Sequence, residues 1–250
     1  MPGTNSSDAV VLAIDAGNTR IKWGVHDGHA WSAAGAIDTG EAQNLYVALR
    51  DALPVDLAIA SNVAGPQVGS AIESASREAR IPVTFIRGEA RRLGVTNGYR
   101  EASRLGADRW VALVAAHHAR PGHKLVVNAG TALTIDALAA DGRFLGGLIV
   151  AGPALMRRSL DYATAALREV PGEVRDFPVN TPDAITTGAV LAGAGAVDRL
   201  AAAMSARGCP PGLIILSGGA AREIAPALAL PHEVHDNLVL DGLQLIARST

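Results

Sequence analysis

Ile14-Asp15-Ala16-Gly17-Asn18-Thr19, with Lys22 close behind, and Val127-Asn128-Ala129-Gly130-Thr131-Ala132-Leu133-Thr134-Ile135-Asp136 are two glycine-punctuated turns of nearly one design, set about half a chain apart. Each follows a short apolar run and leads into another, the pattern of a hairpin with a functional tip. Glycine lets backbone N–H groups approach an anion closely, and neighbouring Thr and Asn side chains add hydrogen bonds to phosphate oxygens. Two such turns facing each other would clamp one polyphosphate.

Outward from the first turn, Ala9 to Ile14 reads as a β-rich strand, Arg20 to Val25 as its return and Trp31 to Ile37 as a third strand. Leu45, Ala48, Leu49 and Ala52 then share one face of a helix over Glu41 to Ala52. A buried strand at Leu57 to Ala60, a helix from Pro66 to Arg80 and a strand from Pro82 to Ile86 follow, with Pro66 placed for a first helical turn. Arg87 to Arg104 reads as a polar loop, and Gly106 to Ala119 as a helix leading into the second half.

There the pattern restarts. Strands are expected at Lys124 to Val127, Leu133 to Leu138 and Phe144 to Val150, then helices at Pro153 to Ala166 and Asp183 to Ser205, a strand at Gly212 to Leu216 and a helix at Asp241 to Arg248. Three strands followed by alternating helices and strands, written twice, predict two α/β lobes, 1–118 and 119–250, each a mixed sheet covered by helices. Met1 to Asp8 reads as a loose polar tail without the features of a secretion signal, and the polar segment from Glu169 to Pro178 as a flexible loop.

Composition narrows the function. With 49% hydrophobic and 18% charged residues and a mean hydropathy of +0.22, the 250-residue chain has ample material for a packed core. A net charge of −2 and a pI near 6.4 imply no general attraction for nucleic acid or anionic membranes. The single Cys209 excludes an internal disulfide, and the seven His residues show no metal-ligand spacing, so the cytoplasm is the simplest location. Apolar runs such as Leu148 to Leu155, broken by Gly152 and Pro153, fall short of the ~20 residues of a membrane helix.

Several side chains carry candidate chemistry. Asp15 is placed to hold Mg²⁺ beside phosphates, with Gly17, Asn18, Thr19 and Lys22 around them. In the second turn, Gly130, Thr131, Thr134 and Asp136 repeat the logic, although a turn of this kind, taken alone, is as readily structural. Leu105-Gly106-Ala107-Asp108-Arg109-Trp110 opens a helix; Asp108 there could be a dipole-favoured acid beside a surface Arg, or a base for a substrate hydroxyl with Arg109 gripping a substrate anion. Gly146-Gly147, Gly152-Pro153 and Ser217-Gly218-Gly219 could meet a flat ligand or form tight turns equally well. His117-His118 reads as a partly exposed pair within a helix rather than a metal site.

Taken in order, Asp15-x-Gly17-Asn18-Thr19-x-x-Lys22, Asn97-Gly98-Tyr99 through Gly106-x-Asp108-Arg109-Trp110, Gly130-Thr131-Ala132-x-Thr134-x-Asp136, Gly146-Gly147-x-Ile149 and Asn180-Thr181 through Gly188 strongly resemble type III pantothenate kinases over nearly the whole chain. The resemblance implies an actin-like fold of the acetate-and-sugar-kinase type, a homodimer, and ATP-dependent phosphorylation of pantothenate, the opening step of coenzyme A synthesis. By the same resemblance, Asp15, Ala16, Gly17, Asn18, Thr19, Arg20, Ile21 and Lys22 would hold ATP phosphates and Mg²⁺, and Thr131 a second phosphate contact. Tyr99, Gly106, Ala107, Asp108 and Arg109 would form the pantothenate pocket with Asp108 as general base, and Thr181 would reach pantothenate across the dimer interface.

Two positions depart from the family pattern. Asn128 stands where an Asp usually helps hold a monovalent cation, K⁺ or NH₄⁺, and Ala102 replaces a common proline three residues after the pocket tyrosine. Rival readings are a kinase of another small hydroxyl compound, a polyphosphate-cleaving relative on the same scaffold, and a nucleotide-binding regulatory protein that kept the clamp without the chemistry.

Overall fold

A computed structural model describes residues 9–163 and 171–249. The expected tail at Met1 to Asp8, the last residues of the helix expected to reach Ala166, and the start of the loop expected from Glu169 lie outside the described residues. Contacts divide the chain into two compact units, one of residues 1–119 with 237–250 and one of residues 120–236.

In the first unit, β1 (Val11–Ala16), β2 (Arg20–His26), β3 (Trp31–Asp38), α1 (Leu45–Leu49), β4 (Leu57–Asn62), α2 (Pro66–Ala79) and β5 (Val83–Ile86) follow one another. A small hairpin of β6 (Arg91–Arg92) and β7 (Val95–Thr96) precedes α3 (Ala107–Ala119). The sheet order is β3-β2-β1-β4-β5, antiparallel from β1 to β3 and parallel from β1 to β5. Leu12, Ile14 and Ala16 of β1 face a core with Leu45, Leu49, Val68 and Ile72, so their alternation sends Asp15 to the opposite face. Because both faces are covered, β1 reads as a continuous apolar run rather than an alternating one.

The second unit repeats this plan with β8 (Lys124–Ala129), β9 (Ala132–Leu138), β10 (Phe144–Ala151), α4 (Pro153–Ala163), α5 (Thr181–Ala206), β11 (Leu213–Ser217), α6 (Ala221–Ile224) and β12 (His232–Val234). Its sheet order, β10-β9-β8-β11-β12, copies the first strand for strand, with the same antiparallel and parallel pairings. Leu125, Val127, Leu133 and Ile135 pack there with Ala194, Val197 and Met204 of α5. Gly193 lets α5 come so close that an added Cβ would lie 3.1 Å from Leu133 Cδ2.

Four expectations change. The final helix, α7 (Leu238–Arg248), belongs to the first unit, where it packs on α3, β1 and β4, so the second unit ends before it. The approach is close: a Cβ on Gly242 would stand 2.3 Å from the Val111 carbonyl oxygen. The Arg87 to Arg104 loop contains the β6–β7 hairpin, whose Leu93 and Gly94 both take positive φ, +45° and +81°. The described part of the segment expected to be flexible is tied to α5, since the Glu173 amide donates to Asp183 Oδ1 at 2.8 Å and the Arg175 amide to Thr187 Oγ1 at 3.0 Å. Finally, α5 is long and apolar enough to cross a membrane by composition, yet Ala194, Val197, Ala201 and Met204 bury one face of it against the sheet.

Candidate active site

The repeated sheet brings the candidate residues into register. On the first sheet Asp15 pairs with Lys22 across the hairpin and with Ser61 on the parallel side. On the second, Asn128 pairs with Thr134 and with Ser217. Asn128 is therefore the counterpart of Asp15 in the second unit, and the three-strand row Lys22–Asp15–Ser61 is matched by Thr134–Asn128–Ser217. Sequence periodicity had shown two hairpins; the matching serines, contributed by strands far along the chain, emerge only from the sheets.

Both turns close on the amide of their glycine, the second one residue shorter than the first. The Gly17 amide donates to the Arg20 carbonyl at 3.0 Å and the Gly130 amide to the Ala132 carbonyl at 3.0 Å. The glycine amides are thus committed to the turns, and the tips that remain are Asn18, Thr19 and Thr131, all exposed. Thr39 braces the first tip, its hydroxyl donating to the Gly17 carbonyl at 2.7 Å and its amide to the Thr19 carbonyl at 3.0 Å. In the second turn the equivalent support is the Gly152 amide on the Thr131 carbonyl at 2.9 Å.

Of the residues expected to contact ATP, Ala16 and Ile21 have fully buried side chains in the α1–α2 core and can offer only backbone. Arg20 is exposed and 3.8 Å from Asp38. Lys22 lies on the Asp15 face. Of the pocket residues, Ala107 is likewise a core side chain.

Asp15 is an unusual carboxylate. The Ser61 hydroxyl, itself wholly buried, donates to Asp15 Oδ1 at 2.7 Å. Burial pushes its pKa up to about 6; the Ser61 bond opposes this, the charge of Asp108 adds to it, and Lys22 opposes it. A carboxylate raised in this way would be stabilised in its charged form by a nearby cation, and oxygen donors suit a hard one such as Mg²⁺. The same coupling brings Asp108 of α3 into electrostatic range of Asp15 within one unit.

Asp108 stands in the first turn of α3, where its carboxylate accepts the Arg109 amide and its own. Burial raises its pKa above the usual carboxylate value, and those amides and the Arg109 charge temper the rise. Gly106 is the floor beneath it: a Cβ there would lie 2.7 Å from Asp108 Oδ1. Arg109 is buried, donates through Nη1 to the Tyr99 hydroxyl at 2.8 Å and lies 5.7 Å from that ring's centroid. The surface-Arg reading of this helix start is therefore excluded.

Asn97, which carried no chemical role in the sequence, positions Tyr99: its Oδ1 accepts the Tyr99 amide at 3.0 Å, and its Nδ2 donates to the Glu89 and Ala102 carbonyls at 3.2 Å. Ala102, in place of the family's proline, thus sits in a loop held by this asparagine. Thr181 is the exposed first residue of α5, capped by Asn180 Oδ1 accepting the Asp183 amide at 2.9 Å.

At the second turn, Gly218 takes φ +97°, and a Cβ on it would fall 2.5 Å from the Ala129 carbonyl and 2.6 Å from Asn128 Oδ1. Asp136 and Thr134 are buried on β9. His117 and His118 contact each other edge to face, with His118 Nε2 3.0 Å from the Leu93 carbonyl, and no cluster of three metal-ligating side chains occurs among the described residues.

Comparison with known proteins follows the same lines. A family model described as type III pantothenate kinase matches residues 11–203. A type III pantothenate kinase of Dechloromonas aromatica is 45% identical over 239 residues, covering 95% of this chain and 99% of that one. One of Aromatoleum aromaticum is 44% identical, covering 96% and 98%. Among solved structures, a ROK family glucokinase from Streptomyces griseus, in complex with glucose and AMPPNP, aligns with TM-score 0.53 at 12% identity, covering 96% of this chain and all of that one. An inorganic polyphosphate/ATP-glucomannokinase from Arthrobacter aligns with TM-score 0.51 at 14% identity, covering 96% and 98%. The fold is the actin-like α/β fold of the sugar kinases.

Proposed function

The chain belongs to the type III pantothenate kinase family, and on that premise we propose that it transfers the γ-phosphoryl group of ATP to the primary hydroxyl of pantothenate, giving 4'-phosphopantothenate, the first step of coenzyme A biosynthesis. The observation that carries the assignment of roles is the pairing of two half-buried carboxylates, Asp15 on β1 and Asp108 on α3, the charge of Asp108 helping to raise Asp15, with the buried Arg109 bound to Tyr99 next to Asp108.

Phosphoryl transfer needs positioning and charge neutralisation more than covalent chemistry. Asp15 would hold Mg²⁺, which neutralises charge on the transferring phosphate. Ser61 leaves Asp15 Oδ2 directed to that task by occupying Oδ1. Lys22 and the tip of the first turn, Asn18 and Thr19, take phosphate oxygens, and Thr131 is the second turn's donor. Arg109, held by Tyr99, grips the pantothenate carboxylate. Asp108 accepts the hydroxyl proton as the oxygen attacks phosphorus, a role its raised pKa suits.

A homodimer completes the reading. Tyr162, Phe177 and Val179 are 95%, 91% and 95% exposed, and Leu155, Leu160 and Leu191 are exposed with them on and between α4 and α5. Apolar exposure on this scale marks an interaction surface, and Thr181 at its edge is placed to be shared with a second copy. The enzyme works in the cytoplasm. Asn128, neutral where the family usually carries an Asp, is the candidate for weakened reliance on a monovalent cation.

The test is a pantothenate phosphorylation assay run with Mg²⁺ alone, with K⁺ added and with NH₄⁺ added. Labelled phosphate on pantothenate under Mg²⁺ alone supports both the activity and the reading of Asn128. Phosphate appearing on sugars or in water, with none on pantothenate, would overturn the proposal.

A further inference from the structure

A cavity of about 390 Å³ lies within the 120–236 unit, lined by His123, Arg143, Leu145, Arg207 and Cys209 with Ala139 and Gly208. Its volume is in the range of small-molecule sites. It sits where β8 begins, whereas the phosphate turn follows the end of that strand, so about 17 Å of strand separates the two. The cavity is thus no part of the site described above.

Its polar lining consists of donors. Arg143 donates Nε to Asp141 Oδ2 at 2.7 Å, which leaves the Nη edge of its guanidinium for another partner. The Arg207 side chain meets no acid among the described residues and follows directly on α5. His123 Nδ1 accepts the Ala140 amide at 3.1 Å, which places the proton of the neutral ring on Nε2 and makes that atom a donor. The Cys209 thiol donates to the Met204 carbonyl at 3.3 Å. The partial negative charge at the end of α5 is masked by its own capping, because Met204 O also accepts the Arg207 and Cys209 amides and Ser205 O accepts the Gly208 amide.

Two guanidinium groups and an imidazole N–H lining one cavity, with Asp141 already paired to Arg143, match the oxygens of a phosphate group. We propose that this cavity binds a phosphate-bearing small molecule through Arg143, Arg207 and His123, at a site separate from ATP.

The chain has one cysteine, so its alkylation reports this cavity alone. In the intact protein, inorganic phosphate at millimolar concentration should slow reaction of Cys209 with neutral iodoacetamide at least threefold, saturably, and more than KCl of matched ionic strength. Arg207→Glu and Arg143→Gln should abolish that protection while leaving pantothenate phosphorylation unchanged. Glycerol phosphate run beside inorganic phosphate separates the sources: tighter protection by the ester identifies an organophosphate ligand, and tighter protection by the free ion identifies phosphate itself. Protection equal to that of KCl, or undiminished in Arg207→Glu, would overturn the proposal, and neither result bears on the kinase reading.

Discussion

Replacing Gly106 by Ala tests the catalytic geometry without touching a reacting group. Gly106 has an ordinary φ, so Ala is compatible with its backbone. The new Cβ would meet two neighbours: Val63 Cγ1 at 3.9 Å, an ordinary contact, and Asp108 Oδ1 at 2.7 Å, which is not. To reach a normal separation of 3.4 Å the carboxylate must withdraw by about 0.7 Å. Misplacing a reacting group by about 1 Å costs up to ~10²-fold, so turnover should fall by roughly 10- to 100-fold. The KM for MgATP should stay within about twofold, because Asp15 and the first turn are untouched, and urea stability should change by less than about 0.5 kcal/mol.

Steady-state kinetics of Gly106→Ala, Asp108→Asn and the double variant complete the test. Asp108→Asn should lower turnover by ~10²-fold or more, and the double variant should be scarcely slower than Asp108→Asn alone, since both changes remove one function. Wild-type turnover in a folded Gly106→Ala protein, or losses that multiply in the double variant, would refute the placement of Asp108 over Gly106 as the base.

Asp15 makes a pH prediction. Its folded pKa of about 6 lies above the ordinary 3.8, so its contribution to stability is full below pH ~4 and is lost as pH rises through 6. In metal-free protein Asp15→Asn should therefore be more stable than the parent at pH 8, by of order 2–3 kcal/mol from the size of that shift, and the gain should vanish by pH 4; a pH-independent difference in urea unfolding would contradict the buried charge. Tyr99→Phe deletes the 2.8 Å bond to Arg109 and should raise the KM for pantothenate about tenfold, the scale of a hydrogen bond to a charged group, with turnover little changed. An equal fall in turnover would assign Tyr99 to the transition state instead. Gly218→Ala forces a Cβ to within 2.5 Å of the Ala129 carbonyl at positive φ and should destabilise the protein by at least ~1–3 kcal/mol in thermal unfolding.

Local pattern was enough for much of this protein. The apolar run of Val11 to Ala16, the break at Gly17 and the resumption at Arg20 specify a hairpin because strand, turn and strand are decided by neighbours in sequence, and the same reading at Lys124 to Leu138 exposed the duplication. Asp15, Asp108 and Arg109 stood out for the same reason, each within a short motif. What depended on distant partners was illegible. Nothing near Ser61 announces that a parallel strand will set it against Asp15, and nothing near Leu238 announces that α7 will return to the first unit to lie on α3. Ala16, Ile21 and Ala107 could be placed in a motif, but only packing sends their side chains into cores. The sequence by itself determined two copies of one α/β unit and the chemistry each could carry, since period and turn residues are local properties. The tertiary structure decided which carboxylates share a face and which charges go unpaired, because burial and Coulomb coupling belong to groups brought together across the chain.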